Sequence, residues 1–156
     1  MGKKLIIFVI SLVILLPIIV ISADLAMTAT SVTADDIDVG NPVILMNTAN
    51  TEATVSVLIE FPSVGLLPKG VKINMEMVNR DDQSITKVPE VEANFGESET
   101  ITVTFEVNAA WTNYLLISNG TGIVVDVTGT AKPTIIGIRL PISIELPKTT
   151  ANITPG

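Results

Sequence analysis

Beyond residue 24 the chain alternates apolar and polar positions with a period of two. Val71, Ile73, Met75 and Met77 alternate with Lys72, Asn74 and Glu76, and Ile101, Val103, Phe105 and Val107 with Thr100, Thr102, Thr104 and Glu106. Val55, Val57, Ile59 and Phe61 make a third face, although Leu58 on the opposite phase is also apolar. The longest run is Ile136, Ile138, Leu140, Ile142, Ile144 and Leu146, interrupted on its polar phase by Pro141, which places that strand at an edge or in a bulge. Such alternation gives each strand one buried and one wet face, as in antiparallel sheets rather than βαβ units. Turn chemistry separates the runs at Asn79–Gln83, Asn94–Glu97 and Asn119–Gly122. The pattern predicts an all-β fold, an immunoglobulin/fibronectin-like antiparallel β-sandwich of about seven strands.

A weaker strand is expected at Ser84–Val91 and a further strand at Ile123–Thr128, while Met27–Val32 and Pro42–Met46 can each be read as a strand on either side of an acidic turn at 35–40. One segment departs from period two. Asn108 to Leu116 reads as a short helix with Asn108 as N-cap, and Trp111, Tyr114 and Leu115 share one of its faces. Either the pair Trp111 and Tyr114 forms a contact surface for a ligand, or the helix plugs one end of the sandwich; the area that aromatics bury favours the plug. The small, polar tail, 148–156, reads as flexible.

The N-terminus follows a different rule. Residues Leu5 to Ala23, LIIFVISLVILLPIIVISA, carry no charge. Such a helix spans about 28 Å at ~1.5 Å per residue, close to the ~30 Å hydrocarbon core of a bilayer. Lys3 and Lys4 precede it and Asp24 follows, so the positive-inside rule puts the rest of the chain outside the cytoplasm. Its length favours a retained transmembrane anchor, whereas Pro17 and the small residues ending in Ala23 would suit a cleaved signal peptide. The expected organisation is therefore an anchor or signal helix at 1–23, a sandwich at 24–147 and a tail at 148–156. The domain is membrane-anchored, or secreted if the segment is removed.

Composition narrows the chemistry. Cysteine and histidine are absent, which removes thiolate and imidazole catalysis and nearly every zinc, copper or haem site. After the apolar segment, seven basic residues face sixteen acidic ones, a balance of −9 that disfavours a nucleic-acid partner. Asp35, Asp36 and Asp38 are weak candidates for a surface cation, but Gly40 stands where an EF-hand loop needs an oxygen ligand and Asn47 where it needs a glutamate. The remaining acids lie on polar strand phases or in turns, and no motif for a nucleophile or a phosphate loop occurs. No catalytic residue and no cofactor is expected. Asn119 and Asn152 stand in glycosylation sequons.

The order of these features resembles the group-two late embryogenesis abundant family, also known as the water stress and hypersensitive response (WHy) domain, over Thr54 to Pro147. Val55–Pro62 stands where that family has a strand ending in Asn-Pro, here Phe61-Pro62. Leu67-Pro68 leads into the strand from Val71, Gly96–Thr100 rises into the next, and the Trp111 helix, Gly122–Gly129 and Ile136–Pro147 complete the parallel. The start of the chain, Ala23–Thr28 and Val39–Val43, looks more like prokaryotic cell-surface immunoglobulin-like adhesion modules. The first resemblance implies a non-enzymatic, membrane-tethered domain that protects membranes or envelope proteins under desiccation or related stress. Two other roles stay open: a cell-surface or filament subunit self-associating through sheet edges, and an extracellular ligand-binding or adhesion module.

Overall fold

The computed structural model describes residues 2–117, 122–135 and 137–153. In chain order these form helix α1 (Gly2–Ser31), a 3-10 turn (Ala34–Asp36), and strands β1 (Asp38–Val39), β2 (Val43–Met46), β3 (Glu52–Glu60), β4 (Lys69–Asn79), β5 (Ile85–Asn94) and β6 (Ser98–Glu106). Helix α2 (Ala109–Ile117) and strands β7 (Ile123–Ile135), β8 (Ile138–Arg139), β9 (Ile144–Glu145) and β10 (Thr149–Ile153) complete the chain. All strand pairs are antiparallel, and the strands divide into a 4-stranded and a 6-stranded sheet.

Short strands share positions. β1 and β2 lie end to end along one edge of β3, with β6 on the other. In the second sheet β8, β9 and β10 follow one another along β7, whose other edge pairs with β4, and β4 pairs with β5. The ten strands thus occupy three positions in one sheet and four in the other, the seven-position sandwich that the alternation predicts. Val55, Val57, Ile59 and Ile101 face Val71, Ile73, Met75, Met77, Ile123 and Val125 across the core, all buried. Few aromatics are needed, because β-branched side chains on two pleated faces interdigitate well.

Three local expectations change. The segment Met27–Val32 is helical up to Ser31, so α1 runs past Ala23 and the boundary at 23–24 falls inside a continuous helix. Thr28 and Thr30 donate their hydroxyls to the carbonyls of Asp24 and Ala26, each at 2.8 Å, and Asp24, Thr28 and Val32 are buried along one stripe. Docking thereby overrides the β preference of threonine. The run from Ile136 to Leu146 is two short strands broken around Pro141, as a residue without an N–H dictates; Ile136 itself lies outside the described residues. The tail is not flexible as far as Ile153: Thr149–Ile153 pairs with Ile123–Val127, burying Ala151 and Ile153. β7 is long enough to template it.

β7 and β10 are also tied by charge. Asp126 accepts from Arg80 Nε at 2.8 Å and pairs with Lys148 at 2.8 Å, and Arg80 also reaches Thr150 at 3.0 Å. The Arg80 guanidinium, and then Lys148, hold the Asp126 carboxyl well below the ordinary carboxylate range. A carboxyl depressed in the folded state stabilises it above the unfolded pKa and loses that contribution as the pH falls toward the folded value. Wild-type stability to urea is therefore expected to fall below about pH 4, and Asp126→Asn to flatten that acid limb while lowering stability at neutral pH. An unchanged slope in the variant would contradict this.

Candidate functional site: the junction of helix and sandwich

The site that organises the molecule is the joint between α1 and the sandwich. Asp24, the first charge after the apolar run, meets Lys69, the first residue of β4, at 2.7 Å, and neither side chain retains solvent exposure. Asp24 Oδ1 accepts the amides of Leu66 and, at 3.3 Å, Leu67. Oδ2 makes the ionic contact without a well-angled hydrogen bond. The Lys69 ammonium also donates to the carbonyls of Val64 at 2.6 Å and Leu67 at 3.1 Å. The β3–β4 connection thus wraps both charges in main-chain polar groups, which is what a buried ion pair requires.

Gly65 makes the wrap feasible. Its φ is +75°, and a Cβ there would overlap Asp24 Oδ1 and lie 2.5 Å from Lys69 Nζ. No larger side chain fits between the backbone and the charges. The alternation of β4 carries a signal for this site. Lys69 stands on the same phase of β4 as Val71, Ile73, Met75 and Met77, so the alternation that buries those four buries the lysine too. A cation on an inward phase needs a counterion. The first acid beyond the apolar run supplies it.

The residues singled out from sequence lie elsewhere. Leu5, Pro17 and Ala23 fall in α1; Pro17 sits within the helix, and Ala23 immediately precedes the buried Asp24. Asp35, Asp36 and Asp38 are exposed and do not converge. Asp36 is a cap: its Oδ2 accepts the Thr33 amide and hydroxyl, both at 2.8 Å, which holds its carboxyl below the ordinary value. Asn152 is exposed on β10, and Asn119 lies outside the described residues.

Trp111 and Tyr114 belong to the plug. α2 covers the end of the sandwich opposite the joint, beside the β4–β5 hairpin and the β2–β3 turn. Asn108 caps it by accepting the Trp111 amide at 2.9 Å and ties it to β5 by donating to the Ile85 carbonyl at 2.8 Å. Trp111 is wholly buried, its indole N–H directed at the Ser84 carbonyl at 3.4 Å, so it offers no stacking face. The Tyr114 hydroxyl donates to Asp81 at 2.5 Å, which holds the phenol above its ordinary pKa.

No family model matches the chain, and no curated protein does. Among solved structures, a protein from Archaeoglobus fulgidus is similar over 74% of this chain and 94% of its own, at 10% identity and a TM-score of 0.41. A β-glucosidase from Streptomyces venezuelae, DesR in complex with D-glucose, is similar over 74% of this chain at 12% identity and a TM-score of 0.34, and the match spans 14% of the glucosidase. At these scores neither likeness bears on fold or function.

Removing one partner of the joint strands the other without compensation. Lys69→Met is expected to weaken docking of the helix by about 3–5 kcal/mol and to open the 61–68 connection to protease. The double variant Asp24→Leu/Lys69→Met should recover most of that loss, and Gly65→Ala should behave like the single lysine variant. Protease resistance of Lys69→Met equal to wild type would refute the joint.

Proposed function

We propose that the chain is a non-enzymatic, membrane-tethered β-sandwich of WHy type, held outside the cytoplasm, which protects nearby envelope proteins or membranes during water loss. The observation that carries the tethered reading is the joint. What supports it is that α1 runs unbroken from the apolar run into a docked segment whose first charge is sealed inside the domain. α1 is long and apolar enough to cross a membrane, and Lys3 and Lys4 at its start favour an external domain.

The surface supports a protective rather than a catalytic reading. Glu90 is engaged by Lys72, Arg139 and Asn74, Asp126 by Arg80 and Lys148, and Asp36 by Thr33. Carboxylates so committed keep their charge, and none is in direct contact with a second carboxyl as acid–base work requires. An acidic, hydrated, stably folded surface is the property a desiccation protectant needs, and the resemblance to the WHy domain points the same way.

The reading predicts a full-length intact mass in the membrane fraction; a soluble species beginning at Asp24 would overturn the tether. In nanodiscs co-dried with a labile enzyme, the chain should preserve more activity than empty nanodiscs supplemented with an inert protein of equal mass. Equal preservation would remove the protective role.

A further inference from the structure

The joint fixes the height of the sandwich above the bilayer. Asp24 follows the last residue of the apolar run and accepts the Leu66 amide, so on the tethered reading Leu66 stands close to where the helix leaves the hydrocarbon. Val20, one turn deeper on the stripe of Asp24, Thr28 and Val32, is half-buried, whereas the large apolar side chains from Val9 to Ile19 are exposed. The domain therefore reaches down to the apolar segment itself.

Two large aliphatic side chains are exposed at this pole. Leu66 follows Gly65 and is 73% exposed, and Ile138 follows Gly137 and is 70% exposed, both glycines having φ of +75°. Strand register puts the two residues at the same end. Lys69 is paired with Ile135, and Ile135 with Ile138, so Ile138 lies two strands from Lys69, roughly 10 Å across the sheet. In water these side chains gain nothing from their positions; against lipid each removes apolar area from solvent.

We propose that this pole rests on the outer leaflet, with Leu66 and Ile138 seated in the lipid interface as a second contact with the membrane beside the helix. The inference rests on the tethered reading above. The occupant is lipid because Leu66 lies beside the point where the apolar segment enters the domain, with Ile138 at the same pole. The seat is apolar, not electrostatic: Asp38, Glu60 and Glu97 are exposed acids at the same pole, and they repel an anionic surface. It fixes the tilt of the domain and points α2 away from the bilayer.

The chain has no cysteine, so a single introduced thiol can be labelled cleanly. Leu66→Cys, Ile138→Cys and, at the far pole, Leu116→Cys carry an environment-sensitive fluorophore on the full chain in phosphatidylcholine vesicles, with and without doxyl-labelled lipid. Labels at 66 and 138 should shift to the blue and lose emission to the doxyl lipid, while the label at 116 responds only to aqueous iodide. Mixing in an anionic lipid should weaken the signals at 66 and 138; a gain would overturn the apolar seat. Iodide quenching at 66 and 138 equal to that at 116, with the chain full-length and membrane-bound, would refute the seat and leave the tether intact. A shortened or unbound chain would remove the tether and the seat together.

Discussion

Asp24 and Lys69 are 2.7 Å apart and both shielded from water, at the level where an apolar helix meets a β-sandwich. Neither charge can occupy such a place alone, since an unpaired ion in low dielectric costs several kcal/mol. Each therefore obliges the other, and together they oblige the loop that covers them. Gly65 must be glycine, the amides of Leu66 and Leu67 must face the carboxylate, and the carbonyls of Val64 and Leu67 must face the ammonium. A pair separated by 45 positions in the chain thus sets the path of the β3–β4 connection and the direction of the helix.

From that constraint the rest of the architecture follows as two unequal ends. At the joint the β3–β4 connection bends around charge and glycine. At the opposite end α2 buries Trp111 and Leu115 under a cap made by Asn108, and the Arg80–Asp126–Lys148 cluster binds the neighbouring hairpin to β7 and β10. Between them the core is aliphatic and alternates with the pleat. The joint end carries the apolar helix, whereas the far end is closed by packing.

What could be read from the sequence divides along the range of the interactions involved. The central strands were legible because Val71–Met77 and Ile101–Phe105 state their inward faces residue by residue, and α2 was legible because Asn108 and Trp111 form its cap within one turn. Ala26–Ser31 was not: its threonines favour strand locally, whereas the segment continues α1 and docks along Asp24, Thr28 and Val32, a contact made with residues far along the chain. β10 was missed for a similar reason, since Thr149–Ile153 is short and polar and becomes a strand only on the edge of β7. Lys69 could have been found from its inward phase, but its partner could not, because nothing local links it to Asp24.

Hydrogen exchange at the Leu66 amide of the full chain in a bilayer tests the joint most directly. That amide sits in an exposed connection, and its bond to the buried Asp24 carboxylate is its reason to be protected. Exchange as slow as that of the β4 amides is predicted, with Lys69→Met returning it to loop rates. Loop-rate exchange in the unmodified chain would mean that helix and sandwich are only linked, and not joined.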